Sequence, residues 1–172
     1  RFDASGPKLL GEPAAIASPV AFTQNEQVLA SVSNEGTLLY RAGSRGSFSS
    51  LVWLDRAGLG VKPLREKELF ADFALSPDAR RLAFAVNSAG QEATALWVYD
   101  FTRDAASRLT FEEGGEDWPV WSSDGRFLYY ASDRRNDGTI FRRASDGTGA
   151  PEEIATTPQG IWPLAASHDD RW

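Results

Sequence analysis

The feature that most constrains this chain is an internal period of about 45 residues. Three segments share a turn followed by an alternating run. They are Ser33-Asn34-Glu35-Gly36 before Leu38 and Tyr40, Ser76-Pro77-Asp78-Ala79 before Leu82 and Phe84, and Ser122-Ser123-Asp124-Gly125 before Leu128 and Tyr130. A fourth copy opens at Ser167-His168-Asp169-Asp170, and the four serines are spaced 43, 46 and 45 residues apart. A second landmark, Leu51-Val52-Trp53-Leu54-Asp55, matches Leu96-Trp97-Val98-Tyr99-Asp100 45 residues on, and Ile140-Phe141-Arg142-Arg143 follows 44 residues after Leu96. A third keeps Leu64, Leu109 and Ile154 at intervals of 45. Self-similarity held by three separate landmarks marks a repeat architecture.

Each period holds four short candidate strands. The first precedes the Ser turn (Phe73-Ala74-Leu75, then Pro119-Val120-Trp121), and the second follows it. In the second, Leu82, Phe84 and Val86 alternate with Ala83 and Ala85, which sends the two sets to opposite sheet faces. The third carries Trp97 and Tyr99, and the fourth carries Leu109. No stretch sustains helical periodicity with caps; Arg65 to Phe70 comes nearest and is too short. The turns have local causes. Pro77 presets φ, Asp78 and Asp124 accept backbone N–H groups, and Gly36 and Gly125 supply a left-handed conformation. Ala79 departs from that pattern, so its turn is expected to be strained or of another type. Four strands in each period of this length is the signature of a β-propeller blade.

The expected fold is therefore all-β: consecutive four-stranded antiparallel blades forming part of a propeller. Residues 1–17 read as the end of one blade, 21–66, 72–112 and 118–157 as three blades, and 162–172 as the start of another. Propellers close with about four to eight blades, so this pattern, together with the absence of Met, is that of a segment of a longer ring. Incomplete end blades would expose strand edges, and the 172-residue piece is expected to be marginal or sticky by itself.

Composition restricts function. There is no Cys and a single His, His168, which removes disulfides, thiolate sites and a multi-histidine metal centre within one chain. A net charge of −6 argues against nucleic acid as a partner, and no apolar run is long enough to insert in a membrane. A Ser-His-Asp triad would have to use His168, in a turn, and no Gly-x-Ser-x-Gly elbow exists. Gly58 and Gly60 lack a third glycine because position 63 is Pro. Asp133, Asn136, Asp137 and Gly138 fail as a calcium loop because Arg135 occupies a ligand position. No catalytic, cofactor or metal residues are assigned. Arg134, Arg135, Arg142 and Arg143 are expected on an outer hairpin, alternating with Glu152 and Glu153.

The remaining candidates lie between blades. Glu112, Glu113, Glu116 and Asp117 form the densest acidic run, expected in a connecting loop at a propeller rim, either solvated or forming an acidic lip. Trp118 and Trp162 occupy nearly equivalent positions, each followed by Pro, and can pack between blades or meet a partner. Partner contact is assigned to Glu116, Asp117, Trp118 and Trp162.

Ser76 to Phe84 and Ser122 to Tyr130 resemble the WD40-like repeat of TolB-type propellers, as do the flanks Trp118-Pro119-Val120-Trp121 and Ala131-Ser132-Asp133-Arg134. Phe2-Asp3 with Gly11-Glu12-Pro13, Gly36 to Arg41, and Leu51 to Arg56 look most like the propellers that follow the kinase domain in bacterial Ser/Thr protein kinases. That resemblance implies a non-catalytic sensor or interaction module, extracytoplasmic and part of a larger envelope or kinase protein. Its partner would be a protein, a peptide or a small ligand. The same repeats occur in periplasmic TolB itself and in the substrate-gating propellers of prolyl-oligopeptidase-type serine peptidases, which stand as alternatives.

Overall fold

The structure is a computed structural model, and it describes residues 2–3, 8–9, 30–32, 38–41, 49–53, 63–68, 70–87, 93–134 and 138–167. The turn at Ser33 to Gly36, the segment 10–29, residues Arg135 to Asp137, and His168 to Trp172 lie outside them. The described residues contain strands and turns and no helix, so no helix is long and apolar enough to cross a membrane.

A two-residue ladder pairs β1 (Phe2–Asp3) with β2 (Lys8–Leu9). Three four-stranded antiparallel sheets follow, each built from consecutive strands. The first holds β3 (Ala30–Val32), β4 (Leu38–Arg41), β5 (Ser49–Trp53) and β6 (Pro63–Glu68). The second holds β7 (Phe70–Leu75), β8 (Arg81–Asn87), β9 (Thr94–Asp100) and β10 (Ala105–Arg108). The third holds β11 (Glu116–Trp121), β12 (Phe127–Ser132), β13 (Thr139–Ala144) and β14 (Glu152–Thr156). Leu109 lies one residue past β10, yet its N–H still donates to the Leu96 carbonyl at 2.8 Å.

The alternation in β8 explains how the sheets stack. Leu82, Phe84 and Val86 pack with Leu39, Leu51, Phe70, Phe73 and Tyr99 on one face. Ala83 and Ala85 share the other cluster with Leu96, Val98, Trp121, Leu128 and Tyr130. Strand β8 thus turns its large residues to the first sheet and its small ones to the third. Leu128 and Tyr130, at the repeat positions of Leu82 and Phe84, fill the space the alanines leave. At the seam with the third sheet big side chains meet these small ones, which lets the layers interdigitate at interior density; at the seam with the first, large side chains meet large ones.

The Ser turns are copies of one hydrogen-bond circuit. Ser76 Oγ donates to Asp78 Oδ1 and accepts from Arg81 N, and Asp78 Oδ1 also accepts from Arg80 N. Ser122, Asp124, Arg126 and Phe127 repeat each bond. The N–H of Ala79 reaches Ser76 O at 2.8 Å, as that of Gly125 reaches Ser122 O at 2.9 Å. The turn type is therefore kept and the strain is real: Ala79 sits at φ 55°, where Gly125 sits at 69°. A left-handed residue with a Cβ costs about 1–2 kcal/mol, and glycine returns part of that through unfolded-chain entropy. Ala79→Gly is expected to raise stability by about 0.5–1 kcal/mol in denaturant unfolding. A loss would contradict the turn as described.

Candidate functional site

The first strands of the three sheets lie side by side, β7 between β3 and β11. Side chains bridge them: Leu75 N donates to Ser31 Oγ at 3.0 Å, and Trp121 Nε1 to the Ala74 carbonyl at 2.9 Å. The seam of these strands, with residues 163–166 across it, bounds a cleft of about 480 Å³ lined by Asp72, Phe73, Trp118, Trp121 and Leu164 among others. A second cleft of about 380 Å³ opens around Thr94, Asp117, Trp118, Ser132, Asp133 and Trp162. Trp118 is a wall of both.

Strand β11 explains why. Its pairing with β12 runs Glu116 to Ser132 and Asp117 to Ala131, then skips to Val120 opposite Tyr129. Trp118 and Pro119 together oppose Tyr130, which makes a bulge. Pro119 has no N–H to leave unpaired there, and Trp118 takes φ 60°. A bulky residue in the left-handed region before a proline is a costly conformation, of the kind that clusters where a side chain must be aimed.

The two aspartates are repeat equivalents. Asp72 opposes Ala85 and Asp117 opposes Ala131. Each carboxylate accepts the N–H of the next residue, Phe73 at 2.7 Å and Trp118 at 2.9 Å. Burial pushes both up, Asp72 to about 7 with added repulsion from Asp117, and Asp117 to about 6. Desolvation disfavours a carboxylate when no cation compensates it, and among the described residues no basic group influences either.

The acidic run divides differently from its expected rim position. Glu116 and Asp117 lie within β11, on opposite faces. Glu116 is fully buried and accepts from Arg134 Nη2 at 2.6 Å and Nε at 2.9 Å. Glu112 contacts Arg134 Nη2 at 3.3 Å and Arg143 Nη1 at 3.2 Å. Glu113 is exposed. The loop before β11 is pressed on the third sheet: Gly115 N donates to Asp133 Oδ1 at 2.6 Å. A Cβ on Gly114 would stand 2.9 Å from Arg134 Cγ and Asp133 Oδ1. On the outer hairpin, Arg142 pairs with Glu152 at 2.5 Å, and Arg143 turns to Glu112.

Asp117, Trp118 and Trp162 thus meet at one cleft, while Glu116 faces away into an ion pair. Trp162 and Leu164 are 52% and 74% exposed. Sequence reading missed Asp72 and Asp133 as lining residues. The signal for Asp72 was its place 45 residues before Asp117. Among the described residues, no group of three His, Cys, Asp or Glu side chains is arranged to hold a metal ion.

No protein-family model matches the chain. Among solved structures, TolB from Acinetobacter baumannii superposes with a TM-score of 0.68 at 15% identity, over 84% of this chain and 38% of that one. The chain has a TolB-like β-propeller fold. A prolyl endopeptidase matches at a TM-score of 0.61 and 19% identity, over 82% of this chain and 24% of that one. Sequence relatives include the uncharacterized protein Atu1656 of Agrobacterium fabrum, 31% identical over 87 residues, or 51% of this chain and 29% of that protein. Another is the uncharacterized peptidase YuxL of Bacillus subtilis, 28% identical over 90 residues, or 50% of this chain and 14% of that protein. The chain therefore matches only a minor part of each relative's length. The three sheets are consecutive blades, and β3, β7 and β11 are their inner strands.

Proposed function

We propose that this chain is a non-catalytic binding or sensor module that recognises a protein or peptide at the inner-strand clefts. It would serve within a larger extracytoplasmic bacterial envelope or kinase protein. The observation that carries this reading is the convergence of Asp72, Asp117, Trp118 and Trp162 on two clefts that share one indole wall. Exposed aromatics beside unpaired carboxylates are suited to recognition, because tryptophan dominates binding hot spots. The kinase association rests on the resemblance of Phe2-Asp3, Gly36 to Arg41 and Leu51 to Arg56; fold alone does not supply it.

The test is site-specific photo-crosslinking in the full-length protein in its own cells. A benzophenone side chain replaces Trp162 in one variant and Thr148, exposed on the outer hairpin, in the other. Position 162 is expected to capture a discrete partner that position 148 does not. Equal capture, or none from 162, would remove the reading.

A second reading, the gating propeller of a serine peptidase, is favoured by the relative described as a peptidase and by the prolyl endopeptidase likeness. It predicts an α/β-hydrolase with a Gly-x-Ser-x-Gly elbow in the same open reading frame. A free periplasmic TolB-like protein predicts a signal peptide and neither kinase nor hydrolase.

A further inference from the structure

The protein already contains one worked example of guanidinium recognition. Arg134 is held between the Glu116 carboxylate and the ring of Phe141, with its Cζ 4.7 Å from the ring centroid. Arg81 repeats the aromatic half of that arrangement, 4.7 Å over Trp121 with its Nη2 donating to the Gly125 carbonyl. One residue past Glu116, on the opposite face of β11, the same ingredients recur. Asp117 supplies a carboxylate, Trp118 and Trp162 supply indoles, and Asp133 adds a second carboxylate at the mouth. Among the described residues, no Lys or Arg lines this cleft. Asp117 uses Oδ1 for the Trp118 N–H, and among the described residues no basic neighbour offsets its desolvation.

Resting on the reading of this face as the binding face, we propose that the Asp117–Trp118–Trp162 cleft takes the side chain of an arginine presented by a peptide or protein partner. The carboxylate accepts the planar N–H fork and the indoles cover the guanidinium faces. Arginine suits this better than lysine, because a flat delocalised cation stacks and bonds in one orientation, and Trp is the strongest aromatic partner for a cation. Thr94 and Gln159, which also line the cleft, offer neutral hydrogen-bonding groups.

The probe is acetyl-Gly-Arg-Gly-amide, titrated into the full-length protein with the indole N–H signals of Trp118 and Trp162 followed by NMR. Matched peptides carry lysine or citrulline, the second being a neutral isostere. Saturable shifts are expected with the arginine peptide, and at least tenfold weaker binding with the other two. Asp117→Asn and Trp162→Ala are each expected to weaken it at least tenfold, and the second alters a side chain that is 52% exposed. Acidification through pH 6 should also release the peptide as Asp117 is protonated. Citrulline or lysine binding within twofold of arginine, an Asp117→Asn variant of unchanged affinity, or no saturable shift would each overturn the proposal. Charge-blind binding in this cleft would leave the binding face standing, whereas failure of the crosslink at 162 removes the face itself.

Discussion

Unfolding free energy measured across pH is expected to peak near pH 5 and to fall by about 4 kcal/mol toward pH 8, at about 1.4 kcal/mol per pKa unit. The cause is the inner-strand pair. Asp72 is raised to about 7 and Asp117 to about 6, whereas an unfolded aspartate titrates near about 3.9. Between those values the folded chain holds more protons than the unfolded one, so stability falls as pH rises. Glu116, also raised by burial, acts in the same sense. The acid side is set by groups of the other sign. Asp78 and Glu112 are held low by hydrogen bonds and nearby arginines, and Asp124 is held at about 2 by the bonds of its turn. Their contribution is lost as pH drops below about 4. Asp72→Asn keeps an oxygen for the Phe73 N–H and removes both burial of charge and repulsion with Asp117. It should raise stability at pH 8 by about 2 kcal/mol and flatten the profile. A curve level from pH 5 to 8, or an Asn variant less stable at pH 8 than the parent, would refute this account.

How much of this was legible beforehand depended on how local each cause is. The Ser-x-Asp circuits were readable because their bonds close within five residues. Alternation in β8 gave the two faces of a blade. Even the bulge left a trace: Ser76 and Ser122 are 46 apart while Asp72 and Asp117 are 45 apart, which places one extra residue between Asp117 and Ser122. The acidic run was harder. Adjacent residues in a strand point to opposite faces, so Glu116 and Asp117, neighbours in sequence, belong to different chemistry. The partner of Glu116 lies 18 residues away and that of Arg143 lies 31 residues away. Such pairs depend on how the blade folds back on its own connecting loop, which charge patterning along the chain does not record. The cleft itself is a product of seams between blades, and only the repeat frame brings its residues together.

Replacing Arg134 should cost more than any other change discussed here. Its guanidinium is the cation for Glu116, whose side chain is only 1% exposed, and it also reaches Glu112 and covers Phe141. Burial, with repulsion from Glu112, pushes Glu116 upward, and the bonds from Thr110 and Arg134 oppose that. Arg134→Met keeps an apolar stem over Phe141 but leaves a carboxylate in the core with no counter-charge. Breaking one partner of a buried pair costs about 3–5 kcal/mol, whereas replacing both by apolar or neutral groups is often close to neutral. The single variant is therefore expected to lose about 3–5 kcal/mol at pH 8 and to recover part of it by pH 5, where Glu116 can take a proton. The double variant Arg134→Met with Glu116→Gln should regain most of the loss, giving a coupling energy of about 2 kcal/mol or more in a double-mutant cycle. Should Arg134→Met fail to fold at pH 8, refolding at pH 5 and rescue in the double variant still decide the matter. A single-variant cost below about 1 kcal/mol, or a double variant as unstable as the single, would mean that Arg134 acts by packing on Phe141 and not by compensating Glu116.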